Sequence, residues 1–212
     1  MEPQKNSSIR GNQFIHQDNR EIVTDSDLES RVSYCFGARR DVLHMRDQWP
    51  VVPYRDQQGQ MRNHIFDRHF TLDDGRRIAA AVKPSQKVVS TGLKLVIAQI
   101  RQQGTFREFA DGIVIITEMD CTADDSANAR NILRARRLRN ESEFRLALAE
   151  LQAVQGTVLF GDLIRSAPVQ AFRRNALWCL IDLGILLPLA RERVNDRTKM
   201  RVNRAALTKE AA

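Results

Sequence analysis

Three residues in the first half of the 212-residue chain have the types that could do chemistry together: Glu29, Asp67 and Lys83. Two carboxylates beside a lysine are what metal-dependent phosphodiester hydrolysis requires. Carboxylate oxygens suit a hard cation such as Mg²⁺, with Mn²⁺ as a substitute. Such an ion activates water and offsets charge on the phosphate. The lysine orients the water or stabilises the charge that develops in the transition state. Asp67 and Lys83 flank the turn Asp73-Asp74-Gly75 at similar distances. Two antiparallel strands joined at that turn would set them across from one another. On spacing alone the competing reading is a cross-strand salt bridge between Asp67 and Lys83, with Glu29 on an exposed helix face.

Other catalytic templates are missing from the sequence. It holds no Gly-x-x-x-x-Gly-Lys-Ser/Thr loop, no His-Glu-x-x-His and no Gly-x-Ser-x-Gly. The four histidines, His16, His44, His64 and His69, lack zinc-finger spacing. On a single strand over Arg62–Leu72, His64 and His69 would point to opposite faces, which argues against a shared metal. Cys35, Cys121 and Cys179 are odd in number and widely spaced, so free thiols of a cytoplasmic protein are expected. The polar start MEPQKNSSIRGNQ has no apolar core for a secretory signal, and no apolar run approaches a membrane span.

The elements that must position these residues follow from pattern. Residues 1–20 are polar and read as flexible. Asp25-Ser26-Asp27 offers a cap to a helix with Leu28, Val32, Cys35 and Phe36 on one face, and Gly37 is its expected stop. Val42–His44 and Val51–Tyr54 read as strands, followed by the hairpin Arg62–Leu72 and Arg76–Lys83, which Pro84 ends. Lys87–Gln103 reads as one helix with Val88, Leu95, Val96 and Ile100 inward, closed by Gly104. Phe109–Thr117 reads as a buried strand. The order predicts an α/β fold with a mixed sheet flanked by helices.

Charge separates the two ends of the chain. The net charge is +7, yet residues 1–129 carry 17 Lys and Arg against 18 Asp and Glu. Residues 130–212 carry 16 against 8. A basic C-terminal part points to a polyanion, most simply double-stranded DNA. There the pattern is a long arginine-rich helical region from Asn131 to about Ala153, breaking near Arg139–Ser142. A short helix Leu159–Arg165, the turn Ser166-Ala167-Pro168 and a longer helix Val169–Leu183 follow. Strands Ile185–Ala190 and Lys199–Val202 come last. Helix, turn, helix and basic hairpin outline a mainly α winged helix. Phe172, Ala176, Leu180 and Leu183 are expected inward. Gln170, Arg173 and Arg174 are expected to face DNA, and Arg191, Arg193, Arg197, Lys199 and Arg201 to meet phosphates from the wing. Protein docking by the same domain is the alternative. Trp178 is expected in the core. The domain reading is thus 1–20 flexible, 21–125 catalytic, 126–155 a basic helical connection and 156–212 the winged helix.

The stretch from Asp27 to Lys83 resembles the TnsA endonucleases, a family with the restriction-endonuclease-like fold. Ser26-Asp27-Leu28-Glu29 resembles the start of that family's catalytic helix, and Asp47-Gln48-Trp49-Pro50 its Gln-Pro segment. His64-Ile65-Phe66-Asp67 is similar to its His-x-Pro-Asp strand, and Val82-Lys83-Pro84 to its Val-Lys-Pro strand. The resemblance implies metal ligation by Glu29, Asp67 and the carbonyl of Val82, catalysis by Lys83, and support from Gln48 and His64. It further implies cleavage of the 5′, non-transferred strand of transposon ends, alongside a DDE transposase and an ATPase regulator. The family's Glu or Gln two residues before the lysine is Ala81 here, its proline is Phe66, and an apolar position is Arg68. Ala81 offers no ligating side chain. A catalytically degenerate DNA-binding or docking protein, and a stand-alone restriction- or phage-type nuclease, are the alternatives.

Overall fold

The computed structural model describes the backbone of residues 11–15, 20–24 and 27–211, with side chains for 27–210. The fold is mixed α/β, and the chain divides into two compact units, Met1–Ala123 and Asp124–Ala212. The expected cap at Asp25-Ser26 and the residue His16 lie outside the described residues. Within the stretch expected to be flexible, β1 (Gly11–Ile15) is a strand, paired antiparallel with β2 (Arg20–Thr24).

The first unit is built on a four-stranded sheet with α1 (Asp27–Ala38) against it. Its strands are β3 (Val42–Asp47), β6 (Arg68–Leu72), β7 (Arg77–Val82) and β8 (Gly112–Ile116), in that spatial order. β6 and β7 are antiparallel, while β7 and β8 run parallel, so the sheet is mixed as expected. A separate ribbon pairs β4 (Val51–Arg55) with β5 (Met61–Ile65).

The single strand expected over Arg62–Leu72 is therefore two strands in two sheets. The chain leaves the ribbon at Ile65 and enters the main sheet at Arg68. Between them Phe66 is fully buried, and its N–H donates to the Pro50 carbonyl at 3.0 Å. His64 and His69 consequently lie on different strands rather than on opposite faces of one.

Alternation along β7 divides the core. Ala80 and Val82 pack with Leu28, Val32, Met45 and Phe70 on the α1 side. Ala79 and Ala81 pack with Val52, Phe66, Leu93 and Ile97 on the other, which is the period-two signature of a strand buried on both faces. That second face is covered by α3 (Leu93–Gln103), which follows the short α2 (Ser85–Ser90). The two are not the single helix expected, because Gly92 takes a left-handed backbone (φ 67°) that breaks the ladder. The break turns the inward face to Leu93, Ile97 and Ile100, leaving Leu95 exposed rather than buried. Gly104 caps α3 as its position suggests.

In the second unit α4 (Ala123–Arg137) begins well before the expected Asn131. Asn140 caps α5 (Glu141–Ala153) by accepting from the Glu143 N–H at 3.0 Å. These helices are more than a connection: Ala135, Phe144, Leu148 and Leu151 share one core with the elements that follow. Those are β9 (Thr157–Leu159), α6 (Phe160–Arg165), α7 (Gln170–Asp182), β10 (Leu186–Pro188), β11 (Lys199–Val202) and α8 (Arg204–Ala211). The three strands pair in the order β10-β11-β9, all antiparallel. Trp178 lies in this core, edge-on to Phe160 at 5.9 Å, as expected. Among the described residues the three cysteines form no disulfide. Among the described residues no helix is long and apolar enough to cross a membrane.

Candidate functional sites

Asp67 sits at the crossing between the two sheets, and three hydrogen bonds fix it. Its Oδ2 accepts the Val82 N–H at 2.7 Å. Its carbonyl accepts from the Gln48 N–H at 3.1 Å and from Arg68 Nη1 at 2.8 Å. Gln48 thus supports the site through its backbone, held in a left-handed conformation at φ 49°, while its side chain is exposed.

The register differs from the one expected. Arg68 pairs with Ala80, which sets Asp67 opposite Ala81 and not opposite Lys83. Ala81 is 1% exposed and packs against the α3 side, so the position has room only for a small apolar side chain. Lys83 follows β7, with its N–H on the Ile116 carbonyl at 3.0 Å. Among the described residues no ion pair joins Asp67 to Lys83, so the simple cross-strand salt bridge does not form.

Glu29 comes from the first turn of α1. Together with Lys83, Val82, Lys87 and Glu118 it lines an open pocket of about 570 Å³. Glu118 caps the start of α2 by accepting from the N–H and hydroxyl of Ser85, bonds that lower its pKa. Asp67 does not line this pocket; it approaches through its bond to Val82, the residue next to Lys83.

Sequence reading noticed Arg68 only as a departure from a family pattern. In the structure its side chain is wholly buried. Its Nε and Nη2 donate to Ser33 Oγ at 3.3 and 3.1 Å, and Nη2 lies 3.9 Å from Glu29 Oε2. Burial lowers the guanidinium's pKa, while the charges of Glu29, Asp47 and Asp67 oppose that shift. An interior arginine on a strand whose other residues are core is the signal that would have found it.

His64 lies near the same end of the sheet. Its Nε2 is buried with no hydrogen-bond partner, and its ring meets Phe66 edge-on at 4.7 Å. Burial lowers its pKa most; Asp67 acts to raise it and Lys83 to lower it. His69 is structural: burial lowers its pKa too, and its Nε2 lies 3.0 Å from the Phe109 carbonyl. That bond requires Nε2 to carry a proton.

Among the described residues no group of three or more His, Cys, Asp and Glu could hold a metal. The donor chemistry of Glu29 and Asp67 nevertheless suits magnesium. That ion commonly takes one or two carboxylates and fills its remaining positions with water.

The second unit carries the basic excess of the chain, and two expectations for it fail. Arg173 does not face outward. It is 5% exposed, with Nε on Glu143 Oε1 at 2.5 Å and Nη1 on Glu150, Ser166 Oγ and the Leu163 carbonyl. The inward stripe of α7 is Arg173, Ala176, Leu177 and Leu180, a helical spacing. Phe172, expected inward, is 51% exposed. Gln170 and Arg174 do face solvent, Arg174 pairing with Asp196 at 2.8 Å. Arg191 pairs with Asp125 at 2.5 Å. Arg193, Arg197, Lys199 and Arg201 are exposed, and among the described residues none of the four forms an ion pair.

No family model matches the sequence, and no curated protein matches it.

Proposed function

We propose that the chain is a Mg²⁺-dependent DNA endonuclease of the TnsA kind, with a restriction-endonuclease-like first unit and a winged-helix second unit. The observation that carries this reading is the bond from Asp67 Oδ2 to the Val82 amide. It ties a carboxylate to the backbone immediately before Lys83, at a pocket that Glu29 and Lys83 share.

In this reading Glu29, Asp67 and the carbonyl of Val82 hold the cation, with Mn²⁺ as a substitute. Bound there, magnesium supplies an activated water and offsets phosphate charge. Lys83 would orient the attacking water and stabilise charge that develops on the phosphate oxygens. His64, with burial favouring its neutral form, supports Asp67 without adding a second positive charge beside Lys83. Arg193, Arg197, Lys199 and Arg201 supply the phosphate contacts, with Gln170 and Arg174 on the exposed side of α7 as base or phosphate readers. The substrate is the 5′ strand of a transposon end, with a DDE transposase and an ATPase regulator as partners and the cytoplasm as the setting.

The test is nicking of supercoiled plasmid with Mg²⁺ and then Mn²⁺, beside Asp67→Ala and Lys83→Ala. A second arm adds transposase and regulator. Cleavage that both variants and EDTA abolish supports the proposal. No cleavage in either arm, with DNA binding intact, overturns it.

A second reading, a degenerate nuclease fold kept for DNA binding or docking, is favoured by Ala81. Its burial leaves no side-chain donor at the position opposite Asp67. Failure of Mn²⁺ to bind the folded protein would select it.

A further inference from the structure

We propose that Arg68 is the positioning residue of this site. Its buried guanidinium ties the backbone of Asp67, through Ser33, to that of Glu29, so that two carboxylates from different elements are held for one divalent cation. The inference rests on the nuclease reading and says what makes two carboxylates suffice where Ala81 gives none.

The network is continuous. Arg68 Nη1 donates to the Asp67 carbonyl at 2.8 Å. Nε and Nη2 donate to Ser33 Oγ, and Ser33 Oγ donates its own proton to the Glu29 carbonyl at 2.9 Å. One planar fork therefore sets the backbones of both candidate ligands, directly for Asp67 and through one hydroxyl for Glu29. Ser33 is completely buried, and its hydroxyl is saturated, accepting two bonds and donating one.

Stability does not explain an arginine here. Burying a guanidinium is costly, and well-packed apolar residues often serve a core as well or better. Its neighbour in the register is Ala80, and the strand continues with Phe70 and Leu72 into the apolar α1-side core. What an apolar side chain could not do is hydrogen-bond Ser33 on α1 and set a positive charge 3.9 Å from Glu29 Oε2. The charge also lies among Glu29, Asp47 and Asp67, easing the repulsion between the carboxylates. Arg68 acts through these residues and touches no reacting atom.

The experiment is Mn²⁺ titration of the full chain by calorimetry, with circular dichroism and thermal melts as the check of folding. Arg68→Lys keeps the charge and loses the fork. Ser33→Ala keeps the charge and cuts the link to Glu29, and Ser33→Thr restores the hydroxyl. Arg68→Lys is expected to weaken Mn²⁺ binding about tenfold or more, the usual range for a residue that orients metal ligands. Ser33→Ala is expected to weaken it several-fold, with Ser33→Thr close to wild type. A purely structural role would lower melting temperatures and leave the affinity of the folded protein unchanged.

Wild-type affinity in folded Arg68→Lys or Ser33→Ala overturns the proposal. If Arg68→Lys does not fold, the Ser33 pair decides alone. Asp67→Asn separates the two levels. If wild type binds no Mn²⁺, or Asp67→Asn binds it equally well, the nuclease reading itself falls. If Asp67→Asn alone loses binding, only the role of Arg68 falls.

Discussion

Asp67 Oδ2 and the Val82 N–H meet at 2.7 Å, so a side chain at the sheet crossing is locked to the strand that delivers Lys83. The bond gives Asp67 a structural duty beside any catalytic one. The two can be separated by substitutions that keep an acceptor.

Asp67→Asn keeps an oxygen for the Val82 amide and removes the charge. On the proposed nuclease reading it should lose cleavage, because a carboxamide is a far poorer ligand for a hard cation, while melting close to wild type. Asp67→Ala should also lose about 1–3 kcal/mol of stability, since it leaves that amide without its acceptor. Paired nicking assays and denaturant melts of the two variants check this.

Ala81→Glu will not rebuild a nuclease ligand set. The side chain would enter the apolar space shared with Leu93 and Ile97, where an unpaired carboxylate and added volume both destabilise. The expected outcome is a loss of more than about 3 kcal/mol and no gain in Mn²⁺ affinity, read by melts and titration.

Arg173→Ala should unfold the second unit more readily rather than weaken DNA contacts. It leaves Glu143 buried without its partner, a loss of about 3–5 kcal/mol. Arg193→Ala or Arg197→Ala should leave melting unchanged. Each should lower DNA affinity and make the logarithmic salt slope shallower by about one. Melts and binding at several salt concentrations distinguish the two classes.

His64 gives a pH dependence of definite sign. Its pKa in the folded protein lies below the ordinary value of 6.5, so the unfolded chain binds the proton more readily. The contribution of His64 is fully present above pH 6.5 and is lost as pH falls toward its lowered pKa. His69 acts in the same direction. Melting temperature should therefore fall on acidification from pH 7.5 to 5, and His64→Gln should make that fall shallower.

Local pattern carried much of the architecture. The Asp74-Gly75 turn specified the β6–β7 hairpin, the apolar run through Ile113 and Ile116 specified β8, and Gly104 specified the end of α3. The charge count located the basic excess in residues 130–212, the last two-fifths of the chain. Glu29, Asp67 and Lys83 were legible as candidates because carboxylates and lysine near a turn are recognisable by type.

What the sequence could not determine were relations between residues distant along the chain. The register that sets Asp67 opposite Ala81 depends on where the chain leaves one sheet for another, and Phe66 decides that by burying itself beneath the crossing. Arg173 and Phe172 exchanged their expected places because Glu143 and Glu150, from another helix, supply buried partners for a guanidinium. Arg68 reads in isolation as a surface charge; only the approach of Ser33 and Glu29 on α1 makes it an interior bridge. Periodicity reports which face of an element is apolar. It does not report which polar group will find a partner inside, because that depends on atoms brought together only when the elements pack.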